Sequence, residues 1–386
     1  MDLRETPSQQ ALRVELREYF ANLLPDDERR AVGEAGAGGP RFREVVKMLG
    51  RDGWLGVGWP EEYGGRGLSE EEQFIFYDEI QRAGVPFPLV TVNTVGPTLM
   101  KFGTDAQKKE YLPRILTGDE VFAIGYTEPE AGTDLAALGT RGVVDGDHLV
   151  VNGAKIFTTG GNTADHVWLA VRTDLDAPKH KGITIVIVPC DDPGFSWSPI
   201  HAVGGMMVTA TYYSDIRVPL SNVVGELNGG WSLITAQLNH ERVALAALGG
   251  RMIQLWEDVL AWAKENGVAE QPWVQAEFAR THAKLEAMRL MNWKLTSQVT
   301  AGTLSGETAG AAKTYGTETH IDVQRTLSQI VGSAGRLRAG SPGAVLHGQL
   351  EQISRQGIVN TFGGGVNEVL RDMVATGGLG LPRGRR

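Results

Sequence analysis

The sequence predicts an α+β protein that runs helical, then β, then helical, and three observations predict it. From Thr6 to about residue 117, apolar positions recur at helical spacing. Between about 120 and 225 the apolar runs become short and rich in Val, Ile, Thr, Tyr and Phe, the composition of strands. From Trp231 nearly to the end, helical spacing returns. The expected domains are therefore 1–118, 119–227 and 228–386, in a chain of 386 residues that is long enough for two or three.

The first helix is expected in "TPSQQALRVELREYFANLL", with Thr6 as N-cap and Pro7 at the first helical position. Leu12, Leu16, Tyr19 and Leu23 then form its apolar stripe. "AVGEAGAGGP", with four glycines in ten residues, reads as a flexible surface loop, and "GWPEEYGGRG" as a second loop. Helices are expected in "EEEQFIFYDEIQRAG" and "DAQKKEYLPRILTG". "HLVVNGAKIFTT" reads as two strands joined by an Asn152-Gly153 hairpin turn. "HVWLAVRT", "GITIVIVP" and "ATYYSDIRVP" are further strands. "QAEFARTHAKLEAMRLMNWKLTSQV" and "ETAGAAKTYGTETHIDVQRTLSQIVG" are long helices of the last domain.

With 42% hydrophobic and 22% charged residues the composition is that of a soluble globular protein. No run approaches 18 uncharged apolar residues and the first residues lack a basic-then-apolar form, so neither membrane nor export is expected and the cytoplasm is. The one cysteine, Cys190, excludes an internal disulfide and a zinc site built on paired thiolates; it reads as a strand-end residue. A formal charge of −9 argues against nucleic acid. The eight histidines show no metal-ligand spacing.

Three stretches bear on chemistry. In the helical "QLNHERVALAALGG", Ile234, Leu238, Glu241, Leu245 and Leu248 fall on one stripe, so a carboxylate lies on an apolar face. Desolvation there raises its pKa toward that of a useful base, and burying it unpaired costs roughly several kcal/mol. The alternative is an edge position paired with a neighbouring cation. Arg242 points about 100° away, toward a bound ligand or toward solvent or an ion-pair partner at the surface. "YTEPEAGTD" has Pro129 and Gly132 to turn the chain and expose amides, with Thr127 and Thr133 adding hydroxyls; it suits a planar polar heterocycle, or is a β-turn with capping threonines. "KIFTTGG" puts Phe157 and Thr159 on one side of a strand by alternation, an aromatic face beside a hydroxyl.

"YTEPEAGTD", "NGAKIFTTGG", "ERVALAALGG" and "FGGGVNEVLRDMVATGGLGLPR", in this order, resemble the acyl-CoA dehydrogenase family over essentially the whole chain. The resemblance implies the acyl-CoA dehydrogenase fold: a helical N-terminal domain, a central β-barrel-like domain and a C-terminal four-helix bundle that forms tetramers. It implies α,β-dehydrogenation of an acyl-CoA, a carboxylate taking the α-proton and FAD the β-hydride. Carried over by position, Tyr126, Thr127, Gly132 and Thr133 line one side of the flavin, and Phe157 with Thr159 matches the family's aromatic and threonine pair, where Trp is commoner than Phe. The family's usual base, near the C-terminus, is replaced by Gly364. Isovaleryl-CoA dehydrogenase-like members instead carry the base at the position of Glu241.

Two departures concern the cofactor. The family's Gly-Thr becomes Gly365-Val366, with Glu368 remaining where a polar contact is expected, and no match exists in "AWAKENGVAEQPWVQ" for the Arg-x-x-Phe-Gly segment that reaches a neighbour's FAD pyrophosphate. "LNHERVAL", "RTHAKLEAMRLMNW", "ATYYSDIRVP" and "TFGGGVNEVLRD" resemble the base-bearing subunit of actinobacterial steroid side-chain acyl-CoA dehydrogenases, which are α2β2 heterotetramers. This implies a steroid-CoA substrate and a homologous β-type subunit as partner, with an electron-transfer flavoprotein as acceptor. A homotetramer acting on short or branched acyl-CoAs, a non-catalytic scaffold subunit and an oxidase remain as alternatives.

Overall fold

The computed structural model describes residues 4–237 and 249–382. The N-terminal helices are α1 (Pro7–Leu23), α2 (Asp26–Ala35), α3 (Phe42–Arg51), α4 (Glu70–Ala83), α5 (Gly96–Phe102) and α6 (Asp105–Leu116). The strands are β1 (Phe122–Gly125), β2 (Arg141–Asp145), β3 (His148–Thr158), β4 (His166–Arg172), β5 (Ile183–Pro189), β6 (Phe195–His201), β7 (Met207–Pro219) and β8 (Val223–Val224). Residues 230–237 are helical (α7). They are followed by α8 (Gly249–Glu265), α9 (Pro272–Thr300), α10 (Gly306–Val331), α11 (Gln349–Gln356) and α12 (Asn367–Met373).

Local signals account for much of this. Thr6 closes a capping box with Gln9 ahead of Pro7, satisfying two N–H groups that the helix itself leaves unpaired, and Ser69 and Thr104 repeat the device at α4 and α6. Two expectations need correction. "AVGEAGAGGP" is not simply a loop, because α2 runs through Ala35 and Gly33 is helical. A Cβ at Gly33 would lie 2.3 Å from the Gly84 carbonyl oxygen, so this glycine serves close packing rather than flexibility. "HLVVNGAKIFTT" is one continuous strand, and the reversal lies upstream at Gly146-Asp147, between β2 and β3. Asn152-Gly153 sits instead at a bulge against β7, with Gly153 at φ +152° and its Cβ direction filled by Thr140. The Asn152 side chain bonds across to Asp215.

The sheet order is β6-β7-β3-β2-β4-β5-β8, with β1 paired parallel to β4. Strands β1, β2, β6 and β8, which the sequence pattern does not single out, complete it. β4 and β5 are buried on both faces, which is why they read as continuous apolar runs. Val167, Leu169, Val171, Val186 and Val188 enter a core inside the β-domain. The alternate residues, among them Trp168, Ala170 and Ile185, enter a second core shared with the N-terminal helices, Leu233 and Ile234 of α7, and Trp293 of α9. The place where helices and sheet meet is thus fixed by burial from every side. In the last domain α10 packs against α8, α9, α11 and α12 over a core that includes Leu255, Val259, Phe278 and Leu327.

Candidate active site

Residues 126–134 leave the end of β1 and turn sharply. Glu128 and Ala131 exchange backbone hydrogen bonds of 3.1 Å in both directions, putting Pro129 and Glu130 at the tip and leaving Gly132 and Thr133 exposed. The Ile156 N–H donates to Thr127 O at 2.8 Å, which seats this turn beside Phe157. Phe157 has φ +60° at a register shift between Lys155 and Thr158, and is 59% exposed. Phe157 and Thr159 are both exposed, but the alternation expected to put them on one side of a strand does not hold, because the bulge interrupts it and β3 ends at Thr158. A bulky residue in the left-handed region costs about 1–3 kcal/mol and persists only where its surroundings enforce it.

A flat polar heterocycle fits these residues. Phe157 offers an open aromatic face, and nothing lies within 4 Å of where a Cβ on Gly132 would be. The hydroxyls of Thr127, Thr133 and Thr159 make no hydrogen bond among the described residues, so they are available to a ring with donors and acceptors at its edge. The flavin expected from the sequence meets this test.

Tyr126 spans two elements. Trp168 Nε1 on β4 donates to its hydroxyl at 3.1 Å, and that hydroxyl donates to Oε1 of Gln237 on α7. Gln237 is buried, and its Nε2 has no partner among the described residues. It precedes Glu241 by four positions in the sequence. Glu241 and Arg242 themselves lie outside the described residues.

Gly364, Gly365 and Glu368 lie on the C-terminal domain. Gly364 and Gly365 have φ of +67° and +109°, and Glu368 is exposed in the first turn of α12. Lys313 on α10 donates to Gly365 O at 2.6 Å and to Asn367 Oδ1 at 2.8 Å. Burial pushes its ammonium down to about 8, against the pull of Glu368 and Glu318. Among the described residues no hydrogen bond or ion pair joins these three to the Thr127 and Phe157 group. Near this segment Arg355 ties α11 to the β-domain, its Nη1 donating to Val203 O at 2.8 Å.

Sequence reasoning passed over the groups beneath the turn. Lys155 Nζ donates to Tyr126 O at 3.1 Å and to Glu128 Oε1 at 2.8 Å, with its side chain fully buried. Glu128 also accepts from the amides of Gly139 and Thr140 at 2.7 and 2.8 Å. Arg172, 8% exposed, donates to Ala136 O and to Lys179 O. The signal was a lysine at an inward position of an otherwise apolar strand, since Leu149, Val151 and Lys155 are the buried members of β3 along with Thr158. Among the described residues no acidic, histidine or cysteine group of metal-binding form occurs, and no helix is long and apolar enough to cross a membrane.

Comparison with known proteins agrees with this geometry. Residues 6–119, 123–216 and 228–379 match the models of the acyl-CoA dehydrogenase N-terminal, middle and C-terminal domains. The chain is 48% identical to acyl-CoA dehydrogenase FadE26 of Mycobacterium tuberculosis (strain ATCC 25618 / H37Rv), covering 100% of both chains. It is similar to a solved structure titled "Tcur3481-Tcur3483 steroid ACAD", at 72% identity and a TM-score of 0.98, with 100% of both chains covered. It is also similar to a chain of the ChsE4-ChsE5 complex from Mycobacterium tuberculosis, at 48% identity and a TM-score of 0.93, again over 100% of both. The chain belongs to the acyl-CoA dehydrogenase family of FAD-dependent oxidoreductases.

Proposed function

We propose that this chain is the base-bearing subunit of a two-component dehydrogenase that introduces an α,β double bond into the CoA ester of a steroid side chain. The observation that carries the substrate class is its full-length likeness to a structure titled as a steroid acyl-CoA dehydrogenase of two differently named components. In this reading Glu241 removes the α-proton and Arg242 holds a substrate group. Bound FAD supplies the acceptor for the β-hydride. Tyr126, Thr127, Gly132 and Thr133 flank the ring from the turn, Phe157 stacks on it and Thr159 bonds its edge. Gly364 and Gly365 approach it closely without side chains, and Glu368 adds a polar contact.

The absence of an Arg-x-x-Phe-Gly segment supports the second component, because a pyrophosphate without an arginine clamp needs its counter-charge from elsewhere. A homologous acyl-CoA dehydrogenase chain in an α2β2 assembly would provide it. An electron-transfer flavoprotein as acceptor and a cytoplasmic location belong to the same reading and rest on the family resemblance and on the sequence alone. The test is turnover of steroid side-chain CoA esters and of short branched acyl-CoAs by the co-expressed pair. The steroid esters are expected to be the better substrates. Glu241→Gln is expected to lower turnover by about 10²–10⁴-fold while bound FAD is retained. Undiminished turnover in that variant would remove Glu241 from the reaction, and preference for the short esters would remove the steroid.

A further inference from the structure

Each wall of the flavin platform is irregular backbone. The turn at 127–133 is exposed at its tip, and Phe157 is held at φ +60°, a conformation it would not keep unaided. Something beneath must hold both. Three contacts run from consecutive residues of β3 to consecutive residues of the turn: Lys155 Nζ to Tyr126 O, the Ile156 N–H to Thr127 O, and Lys155 Nζ to the Glu128 carboxylate. The same carboxylate reaches forward to the amides of Gly139 and Thr140, eleven and twelve residues on, so it ties the start of the segment to its end. Arg172 fastens the stretch between by the carbonyls of Ala136 and Leu138.

A buried ion pair is a costly way to hold a loop if stability were the only gain, because desolvation consumes most of the attraction. Burial pushes the Lys155 ammonium down to about 8 even beside its partner, with Arg172 adding repulsion. Burial alone would raise the Glu128 carboxyl, but the charge of Lys155 and the hydrogen bonds from Lys155, Thr140 and Gly139 outweigh it and hold it below its ordinary value. The pair gives directional bonds to three backbone groups at once, Tyr126 O and the adjacent amides of Gly139 and Thr140, which an apolar pair of the same volume cannot.

We propose that Lys155 and Glu128 are positioning residues for the cofactor, locking the 127–133 turn to the Phe157 bulge so that the two walls of the flavin site keep a fixed spacing. Neither touches the ring; they act through the residues that do. The inference rests on the reading of Thr127, Thr133, Phe157 and Thr159 as that wall.

The experiment measures FAD affinity and the resolution of the visible flavin band in the full chain, purified with the homologous chain it is co-expressed with. The variants are Lys155→Met/Glu128→Leu, Lys155→Arg and Phe157→Ala. The double variant leaves no unpaired buried charge and should keep its melting temperature. It should nevertheless bind FAD about tenfold more weakly or worse, the equivalent of at least one good hydrogen bond lost to the cofactor, with a blurred band. Lys155→Arg, which keeps the charge, should recover part of the affinity. Unchanged affinity and spectrum in a folded double variant would overturn the proposal. So would failure of both the double variant and Lys155→Arg to fold, which would assign the pair to the core. Phe157→Ala separates the two levels: if it leaves FAD binding unaltered, the reading of the wall fails rather than the lock beneath it.

Discussion

The turn at 126–134 and the glycine-rich segment at 362–368 are both proposed to face the flavin, yet they are built differently. The first is held from below by three ionic side chains, the buried Lys155 and Arg172 and the partly buried Glu128, and braced by Trp168 through Tyr126. The second is held by Lys313 and by the buried Asn367, whose amide donates to Thr317 and Glu318 on α10, and its shape comes from glycines at positive φ. Where a site must present side chains to a ring, as Thr127 and Phe157 would, the chain invests buried charge in their placement. Where it must only let a ligand approach, small residues tied down by a partly buried lysine and one buried asparagine suffice. The base is absent from the second segment, at Gly364, which is consistent with a segment that gives room rather than chemistry.

Changes on the two sides should therefore differ in size and kind. The largest effect is expected at Trp168, which is fully buried and joins the turn to the shared core. Trp168→Ala should destabilise the protein by about 3–5 kcal/mol in denaturant titrations and weaken FAD binding as Tyr126 loses its donor. A cost under about 1 kcal/mol would mean that the first region is not braced as described.

An intermediate effect is expected on the C-terminal side at His320, which packs under Gly357 and has neither ring nitrogen bonded among the described residues. Burial, aided by Arg251, lowers its pKa from 6.5 to about 4. Between these values the unfolded chain binds the extra proton, so stability is complete above about 6.5 and is lost as pH falls toward 4. The loss through this one group is of the order of 3 kcal/mol. In His320→Leu the acid side of the melting-temperature profile should flatten, and an unchanged slope would place the acid sensitivity elsewhere.

The smallest effect is expected at Lys313, whose pKa falls from 10.5 to about 8. The unfolded chain binds more protons between those values, so stability should rise with pH from about 8 to 10.5, and Lys313→Met should remove that rise. Because Lys313 is only partly buried the slope is shallow. An equal weakening of FAD binding by Lys313→Met and by the Lys155/Glu128 double variant would erase the difference between the two regions.

The same contrast explains what could be read in advance. Strands β4 and β5 and helices α1, α4 and α6 were legible because burial or capping writes itself into residue order. The Asn152-Gly153 pair misled because a glycine at positive φ serves a bulge as readily as a turn, and only the neighbouring Thr140 decides which. Gly33 misled for a similar reason, since its close neighbour Gly84 is fifty-one positions away. The exposed side chains of the site carried a recognisable motif, but Lys155, Glu128 and Arg172 act through contacts with backbone atoms, which leave little periodic trace. Their pairing became visible only when the strand and the turn lay side by side.

The central claim is that this chain carries a well-formed ring site but depends on a homologous partner to hold FAD. The most direct test is the FAD content per chain, read from the visible spectrum, of the protein purified alone and after co-expression with a homologous acyl-CoA dehydrogenase chain. The account predicts flavin-poor, inactive protein in the first case and yellow, active protein in the second. Stoichiometric FAD with acyl-CoA turnover by the chain alone would contradict it, and would mean that the missing arginine clamp is replaced within a homo-oligomer.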